Sequence, residues 1–407
     1  MRPVKRCLLV GYNGARNTGS DLRTLQIIDD LRCVLGNETE ISVVSVEPGW
    51  EEFSTHRPGI RILKARLSLL PLQMVRWVFQ HDAVLLVEGS TFKENWSALL
   101  LWAFLWSAFV AISTRRWSIA YCVDAGRLRP LHQWFAVWVC NRLSLIIVRT
   151  QAAKDLLGSW GVRSQIYVAA DPVLRFAVAA RGEKTATATP AKRVGVAPIE
   201  FFQWPIKVRL FGPSELRYRW PLYFSWDASR AAKSHLVVEA FAALCVQAID
   251  KHDRDVTIIA MEPVDDRICR SIFEALPPSH AARVTLMTRA SHTAHELFAE
   301  LRGLDLLVTA RYHAAIIALP AAVPQVAVYH DERLESLFRE MQMLDTCAVA
   351  CEAADLRDEL AKRLDWCVEH HTCLHARIQR WYSPGMVDRS AAAREILQKT
   401  MASVISC

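Results

Sequence analysis

Arg311 and His313 lie two residues apart in Thr309-Ala310-Arg311-Tyr312-His313-Ala314-Ala315-Ile316-Ile317-Ala318-Leu319, just after the apolar run Leu304 to Val308. The run reads as a buried strand, and the small apolar residues after it read as the opening of a helix. Such a junction offers free backbone N–H groups and the positive end of a helix to an anion. An arginine holds a carboxylate or phosphate by two parallel hydrogen bonds, and a histidine can move a proton near neutral pH. The pair therefore suits an anionic substrate bound beside a proton transfer. The plainer alternative is a surface arginine next to a histidine satisfied by the helix start.

Three further loops follow apolar runs. Gly11-Tyr12-Asn13-Gly14-Ala15-Arg16-Asn17-Thr18-Gly19-Ser20-Asp21 precedes the first long helical pattern. Its three glycines permit tight turns and close approach of backbone to a ligand, and the helix start offers unsatisfied N–H groups. The spacing is neither the dinucleotide G-x-G-x-x-G nor a phosphate loop ending in Gly-Lys-Ser/Thr. A glycine-rich turn with Asp21 as helix cap fits it too. Leu86-Val87-Glu88-Gly89-Ser90-Thr91-Phe92-Lys93-Glu94-Asn95-Trp96 carries Glu88, which could be a base for a sugar hydroxyl or its hydrogen-bond partner; a capped helix start is the plain reading. Arg149-Thr150-Gln151 ends the run Leu145–Val148. Downstream, Ala170-Asp171-Pro172 puts a carboxylate before a proline, where backbone is biased towards extension and Asp171 could simply shape a turn.

The elements that must position these loops alternate. Strands are predicted over Cys7–Val10, Ile41–Val46, Ala83–Val87, Ser118–Cys122, Leu145–Val148 and Ile166–Val168, and helices over Asp21–Leu35, Ser97–Ser113, Leu131–Leu143 and Ala152–Trp160. Short unalternated strands separated by helices predict a parallel sheet covered on both faces. The polar stretch 181–192, RGEKTATATPAK, reads as a linker. A second unit of the same type follows, with strands over Arg193–Ala197, Val256–Met261, Val284–Met287, Leu304–Val308 and Gln325–Tyr329, and helices over Ser229–Lys251, Val264–Ala275, His295–Leu301 and after His313. Ile206–Asp227 reads as an irregular loop or insertion. The expected division is 1–180, the linker 181–192, 193–385 and a closing helix 386–407. In such an α/β pair, ligands bind in a cleft at the carboxyl ends of the strands.

Composition excludes several classes. With 52% hydrophobic and 22% charged residues over 407 positions, the chain is globular and long enough for two cores. The net charge of +7 is spread without a dense basic run, so a nucleic-acid partner is not expected. The first ten residues are too short in apolar length for a signal peptide. Eleven scattered cysteines do not form a secreted framework, so a cytoplasmic setting is expected. Cys347, Cys351, Cys367, His370, His371, Cys373 and His375 cluster, but without the tight pairs of a zinc site; no metal is expected. Ala98–Ile112 is uncharged, yet shorter than the ~20 residues that span a bilayer. It is expected to be a buried helix, with Trp102, Trp106, Trp117, Trp134 and Trp138 leaving a peripheral contact at the inner face of the membrane open.

Taken in order, the Gly-Tyr-x-Gly-x-x-Asn-x-Gly loop, the strand with a glycine turn and Phe, Arg149-Thr150, Ala170-Asp171-Pro172 and Arg311-Tyr312-His313-Ala314 resemble the polysaccharide pyruvyl transferase family. The resemblance runs roughly from Leu8 to Leu344 and is most specific in Gly11–Asp21, Val168–Pro172, Val308–Leu319 and Pro324–Asp331. It implies an α/β fold of two Rossmann-like domains facing a cleft, similar to the glycosyltransferase-B architecture, with the acceptor on the N-terminal and the donor on the C-terminal side. It implies transfer of a pyruvyl group from phosphoenolpyruvate, as substrate and without a cofactor, to two hydroxyls of a sugar in a polysaccharide or glycan precursor of the cell envelope, forming a cyclic ketal. Carried onto this chain, His313 and Arg311 are the catalytic and donor-binding residues. Arg209, or Lys207, stands in for the arginine that often follows the strand 193–197, where Ala197-Pro198-Ile199-Glu200 occurs here. Asn13, Asn17, Glu88, Ser90 and Asp171 are the acceptor-side residues. The usual triple-glycine turn is Glu88-Gly89-Ser90, and the usual Gly-x-Gly-Pro is Asp124-Ala125-Gly126-Arg127. Lipid linkage of the acceptor and self-association are left open. The competing readings are a nucleotide-sugar glycosyltransferase of the same architecture and a non-catalytic carbohydrate-binding assembly component.

Overall fold

The computed structural model describes residues 4–46, 59–94, 97–179, 192–383 and 385–405. The chain forms two units, one from Met1–Phe176 with Gly385–Cys407 and the other from Ala177–Pro384. All but the last residue of the expected linker 181–192 lies outside the described residues.

The first unit is built on β1 (Arg6–Asn13), α1 (Thr18–Leu35), β2 (Glu40–Ser45), β3 (Ile60–Lys64), α2 (Leu70–Gln80), β4 (Ala83–Leu86), α3 (Ala98–Ser113), β5 (Trp117–Val123), α4 (Pro130–Cys140), β6 (Leu145–Val148), α5 (Gln151–Ser159), β7 (Ile166–Val168) and α6 (Val173–Ala179). Its seven strands are all parallel in the order β3-β2-β1-β4-β5-β6-β7. Leu8, Leu9, Val84, Leu85, Ile119 and Ala120 in the central strands are buried on both faces of the sheet, which is why they lack polar alternation. The order reverses between β1 and β4, so the loops after those two strands flank the crevice where open α/β sheets take ligands.

The second unit contains β8 (Arg193–Ala197), a small sheet of β9 (Lys207–Val208), β10 (Arg217–Arg219) and β11 (Leu222–Tyr223), then α7 (Ala228–Asp250), β12 (Asp255–Ile259), α8 (Asp266–Glu274), α9 (Pro278–Ala281), β13 (Val284–Met287), α10 (Ala294–Gly303), β14 (Leu306–Thr309), α11 (Tyr312–Ala318), β15 (Gln325–Tyr329), α12 (Glu332–Glu340), α13 (Leu344–Cys347), β16 (Ala348–Ala350), α14 (Leu356–Glu369) and α15 (His371–Tyr382). Its main sheet is parallel, in the order β13-β12-β8-β14-β15-β16. Here the order reverses between β8 and β14, which places Arg311 and His313 at the switch point. The closing helix α16 (Gly385–Ile405) belongs to the first unit, where the Ser390 hydroxyl donates to the Asp171 carbonyl at 3.0 Å and takes the Arg175 Nε bond at 3.2 Å.

Three sequence expectations change. The region 206–227 is not wholly irregular: it folds β9, β10 and β11 into an antiparallel sheet whose two- and three-residue strands are too short to show a period. The pair β3 and α2 was not anticipated, because α2 turns Leu72 and Phe79 outward and so blurs its apolar stripe. The helix expected from Val264 starts instead as a 3-10 turn over Pro263–Asp265.

Candidate active site

In the second unit Arg311 occupies the N-cap position of α11, with extended backbone, immediately after β14. The helix is only seven residues long before a 3-10 turn over Leu319–Ala321, so the positive character of the junction comes chiefly from Arg311 itself. Thr309 shapes the exit from the strand: its hydroxyl accepts the Arg311 N–H at 2.9 Å. The Arg311 Nη2 is held by two carboxylates that reach it from the end of β12, Glu262 at 2.6 Å and Asp265. Its Nε is buried with no hydrogen-bond partner. Two acids and one guanidinium in a water-poor pocket cannot all carry full charge comfortably. Burial, aided by the neighbouring Glu262, pushes the Asp265 carboxyl up to about 7 despite the pull of Arg311, and the two carboxylates hold Arg311 protonated well above its ordinary range.

This pair was missed in the sequence, since Glu262 and Asp265 sit nearly fifty residues upstream and read as ordinary acids at a helix start. A pH experiment checks it. A carboxyl raised in the folded state binds its proton more tightly there than when unfolded. The stability it contributes is thus complete below its ordinary 3.8 and is lost as pH rises through about 7. Relative to Asp265→Asn, the parent is expected to lose stability steadily over that window in chemical denaturation. A constant difference between the two proteins would show that Asp265 is an ordinary ionised partner of Arg311.

His313 lies in the first turn of α11, half-buried, with its ring edge-on to Tyr312 at 5.4 Å. Around it stand the carboxyl ends of the neighbouring strands. After β8, Glu200 is buried, accepts the Ser234 hydroxyl at 2.9 Å and is pushed up by desolvation. After β15, the His330 ring packs against Phe201 at 4.8 Å, and Asp331 caps α12 while pairing with Arg333 at 2.6 Å. Arg209 and Lys207 lie exposed on the small sheet, where the Arg209 N–H donates to the Pro221 carbonyl at 2.8 Å.

In the first unit the carboxyl ends of β4 to β7 hold a buried charge network. Arg149, at the end of β6, bridges Asp124 (3.1 Å) and Asp171 (2.8 Å), and Lys93 approaches Asp124 at 3.3 Å. Arg23, inside α1, is fully buried and donates from Nη2 to the carbonyls of Tyr121 (3.2 Å) and Cys122. Those carbonyls turn towards it because Cys122 takes a left-handed φ of 54° where the pairing of β5 with β6 shifts register. Arg23 Nε and Nη1 are buried without partners. A Cβ at position 89 would stand 2.7 Å from Arg23 Nη1 and 2.9 Å from Arg149 Nη1, and one at 126 would meet the Lys93 stem at 2.8 Å. The glycines kept in the two altered turns are thus the ones three cations require.

The acceptor-side residues divide. Glu88 is half-buried and accepts the Tyr12 N–H at 3.1 Å, with Ser90 beside it, also half-buried. Asn13 is buried and ties strands and helix together: its amide donates to the Val44 carbonyl at 3.2 Å and its oxygen accepts the Thr24 hydroxyl at 2.7 Å. Asn17, not Asp21, caps α1 by accepting the Ser20 N–H at 3.0 Å. Asp171 accepts the Val173 N–H at 3.1 Å as well as pairing with Arg149, so the turn reading describes it. In the cysteine–histidine cluster, the Cys347 and Cys367 thiols lie 3.7 Å apart in the core, and among the described residues no three ligand-type side chains meet.

Comparison with known proteins adds the following. No curated protein matches the chain. Solved structures similar to it include UDP-GlcNAc 2-epimerase from Rickettsia bellii (TM-score 0.62, 10% identity, covering 99% of this chain and 97% of that one). The UDP-GlcNAc 2-epimerase from Neisseria meningitidis is also similar (TM-score 0.59, 10% identity, 98% and 100%). A third is α,α-trehalose 6-phosphate synthase from Burkholderia multivorans (TM-score 0.56, 10% identity, 100% and 98%). At such identities they show the fold alone, two Rossmann-like domains of the glycosyltransferase-B type. A family profile described as polysaccharide pyruvyl transferase matches residues 17–332, from the cap of α1 through the arginine–histidine junction to the start of α12. With more than three quarters of its length matched, the chain belongs to the polysaccharide pyruvyl transferase family.

Proposed function

We propose that the protein moves a pyruvyl group from phosphoenolpyruvate to two hydroxyls of one sugar in a polysaccharide or glycan precursor, forming a cyclic ketal and releasing phosphate. The observation that carries this reading is Arg311: a guanidinium held by Glu262 and Asp265 at the switch point of the second sheet, one turn-start away from His313. Phosphoenolpyruvate offers a carboxylate and a phosphate, and an oriented guanidinium binds either. In the first step a sugar hydroxyl oxygen bonds to C2 of the donor while a proton reaches C3, converting the vinyl group to a methyl group. His313 supplies that proton and recovers one from the attacking hydroxyl. The C2–O bond to phosphate then breaks, phosphate leaves with its electron pair, and the second hydroxyl attacks C2 and loses its proton. Arg311 steadies the charge on the donor throughout. Glu88 and Ser90 are the residues we assign to the acceptor hydroxyls, because both are half-buried in the loop after β4, whereas Asn13 and Asp171 are buried. A cytoplasmic reaction on a cell-envelope precursor fits the donor chemistry.

Phosphoenolpyruvate is expected to raise the melting temperature, since a ligand that binds only the native state stabilises it. With a glycan acceptor present, phosphate should appear together with a pyruvyl mass gain. Arg311→Lys keeps a positive charge for Glu262 and Asp265 but loses the planar fork, and should remove the thermal shift. An unchanged shift in that variant would take Arg311 out of the donor site. Stabilisation by nucleotide sugars alone would favour the glycosyltransferase reading, and no phosphate release with any glycan, the non-catalytic one.

A further inference from the structure

Helices α2, α3 and α4 lie side by side in the first unit, laced by aromatic rings. Trp102 stacks on Phe135 at 5.1 Å, Phe109 meets Trp138 at 5.4 Å, and the Trp106 indole donates to the Pro71 carbonyl at 3.1 Å, tying α3 to α2. The inner face of α3 is core, through Leu101, Phe104, Leu105 and Ala108. Among the described residues, the outer face of the trio carries exposed apolar side chains. Leu72 is 71% exposed, Leu131 and Trp134 65% each, and Phe79 57%, with Leu69, Leu99 and Trp102 beside them. Among the described residues of this unit, Tyr167 is the one other large hydrophobic side chain so exposed. Isolated exposed apolar residues are ordinary; six on three adjoining helices, with Leu69 in the turn before the first, mark an interaction surface.

The charge around this surface has one sign. Residues 64–80, 97–116 and 127–142 contain Lys64, Arg66, Arg76, Arg115, Arg116, Arg127, Arg129 and Arg142 and no aspartate or glutamate. The nearest acids are already paired, Asp82 with Arg116 at 3.7 Å and Glu94 with Arg129 at 3.2 Å. Two cations border the apolar groups directly: Arg116 Nη2 donates to the Phe79 carbonyl at 3.3 Å, and the Arg142 guanidinium lies over the Trp138 ring at 4.4 Å. Exposed tryptophans and leucines on segments whose charged residues are all basic suit the boundary of an anionic bilayer, where rings sit at headgroup depth and cations meet lipid phosphates. A second copy of the chain suits it poorly, because a two-fold contact would press the same basic patch against itself. With 16 residues α3 is too short to span a bilayer, and α7, the one described helix of sufficient length and hydropathy, has 56% of its apolar window buried within the fold.

We propose that the α2–α3–α4 face docks the protein peripherally on an anionic lipid surface. The proposal is independent of the pyruvyl-transfer reading. Flotation of the full chain with phosphatidylcholine vesicles, alone or mixed with phosphatidylglycerol, tests it, alongside tryptophan emission. Binding is expected only with the anionic vesicles, weakening as salt rises, with a blue shift in emission. The triple variant Leu72→Gln, Phe79→Gln, Trp134→Gln and the pair Arg66→Glu, Arg76→Glu alter exposed side chains, so folding is checked by melting. Each is expected to weaken binding by about tenfold or more. Absence of binding to anionic vesicles, equal binding to neutral ones, or unchanged binding by both folded variants would overturn the proposal. So would a concentration-dependent dimer that the triple variant abolishes while vesicles are ignored, which would make the face a protein interface.

Discussion

His313→Gln is expected to lower pyruvyl-transfer turnover by roughly 10²–10⁴-fold, the usual contribution of a general acid–base group, with little loss of phosphoenolpyruvate binding. Glutamine keeps hydrogen bonding in the half-buried first turn of α11 but cannot titrate. Donor affinity should survive because Arg311 remains clamped by Glu262 and Asp265 from the end of β12. Steady-state kinetics would then show kcat falling with KM nearly constant, the signature of an interaction made chiefly in the transition state. Near-parental turnover would make His313 a positioning residue. The proton would then have to come from another group in the unit, and Asp265 and Glu200, both held above the ordinary carboxylate range by burial, would be the next to replace.

The other large effect is expected in the first unit. Arg149→Ala removes the side chain that bridges Asp124 and Asp171, all three nearly inaccessible to water. Removing one partner of a buried ion pair leaves uncompensated charge and typically costs about 3–5 kcal/mol. For a unit of about 200 residues that corresponds to a melting temperature lower by roughly 6–20 °C. Lys93→Ala should cost much less, since Asp124 would keep Arg149. Arg149→Lys should recover only part of the loss, because a single ammonium cannot place separate donors on two carboxylates. Scanning calorimetry of the three variants decides it: a shift of a degree or two for Arg149→Ala would mean that water or a rearranged Lys93 replaces the bridge.

Much of the fold could be read from the chain because its signals are local. Continuous apolar runs such as Leu145–Val148 and Leu306–Thr309 are strands because both sheet faces are covered, and each is closed by a polar loop at its carboxyl end. The same locality revealed Arg311-x-His313, since strand, arginine and helix start are consecutive. Where the period was weak, the reading failed. Two-residue strands in 206–227 show no alternation, and α2 hides its buried Met74, Trp77 and Val78 among outward-facing apolar residues.

The amino-acid sequence by itself determined that two parallel α/β units would form and which strand ends would carry polar loops, because backbone periodicity and burial act over neighbouring residues. Tertiary structure alone decided what those loops became. It brought Glu262 and Asp265 onto Arg311, turned Arg149 from a loop residue into the bridge between Asp124 and Asp171, and buried Arg23 inside α1 against two carbonyls of β5. It also gave Asn13, Asn17 and Glu88 internal partners, and among the described residues it left large apolar side chains exposed on α2, α3 and α4. Each of these outcomes depends on charges and apolar surfaces meeting across distant parts of the chain in a water-poor interior. There the partner sets a group's protonation and availability, and no local pattern announces which partner it will be.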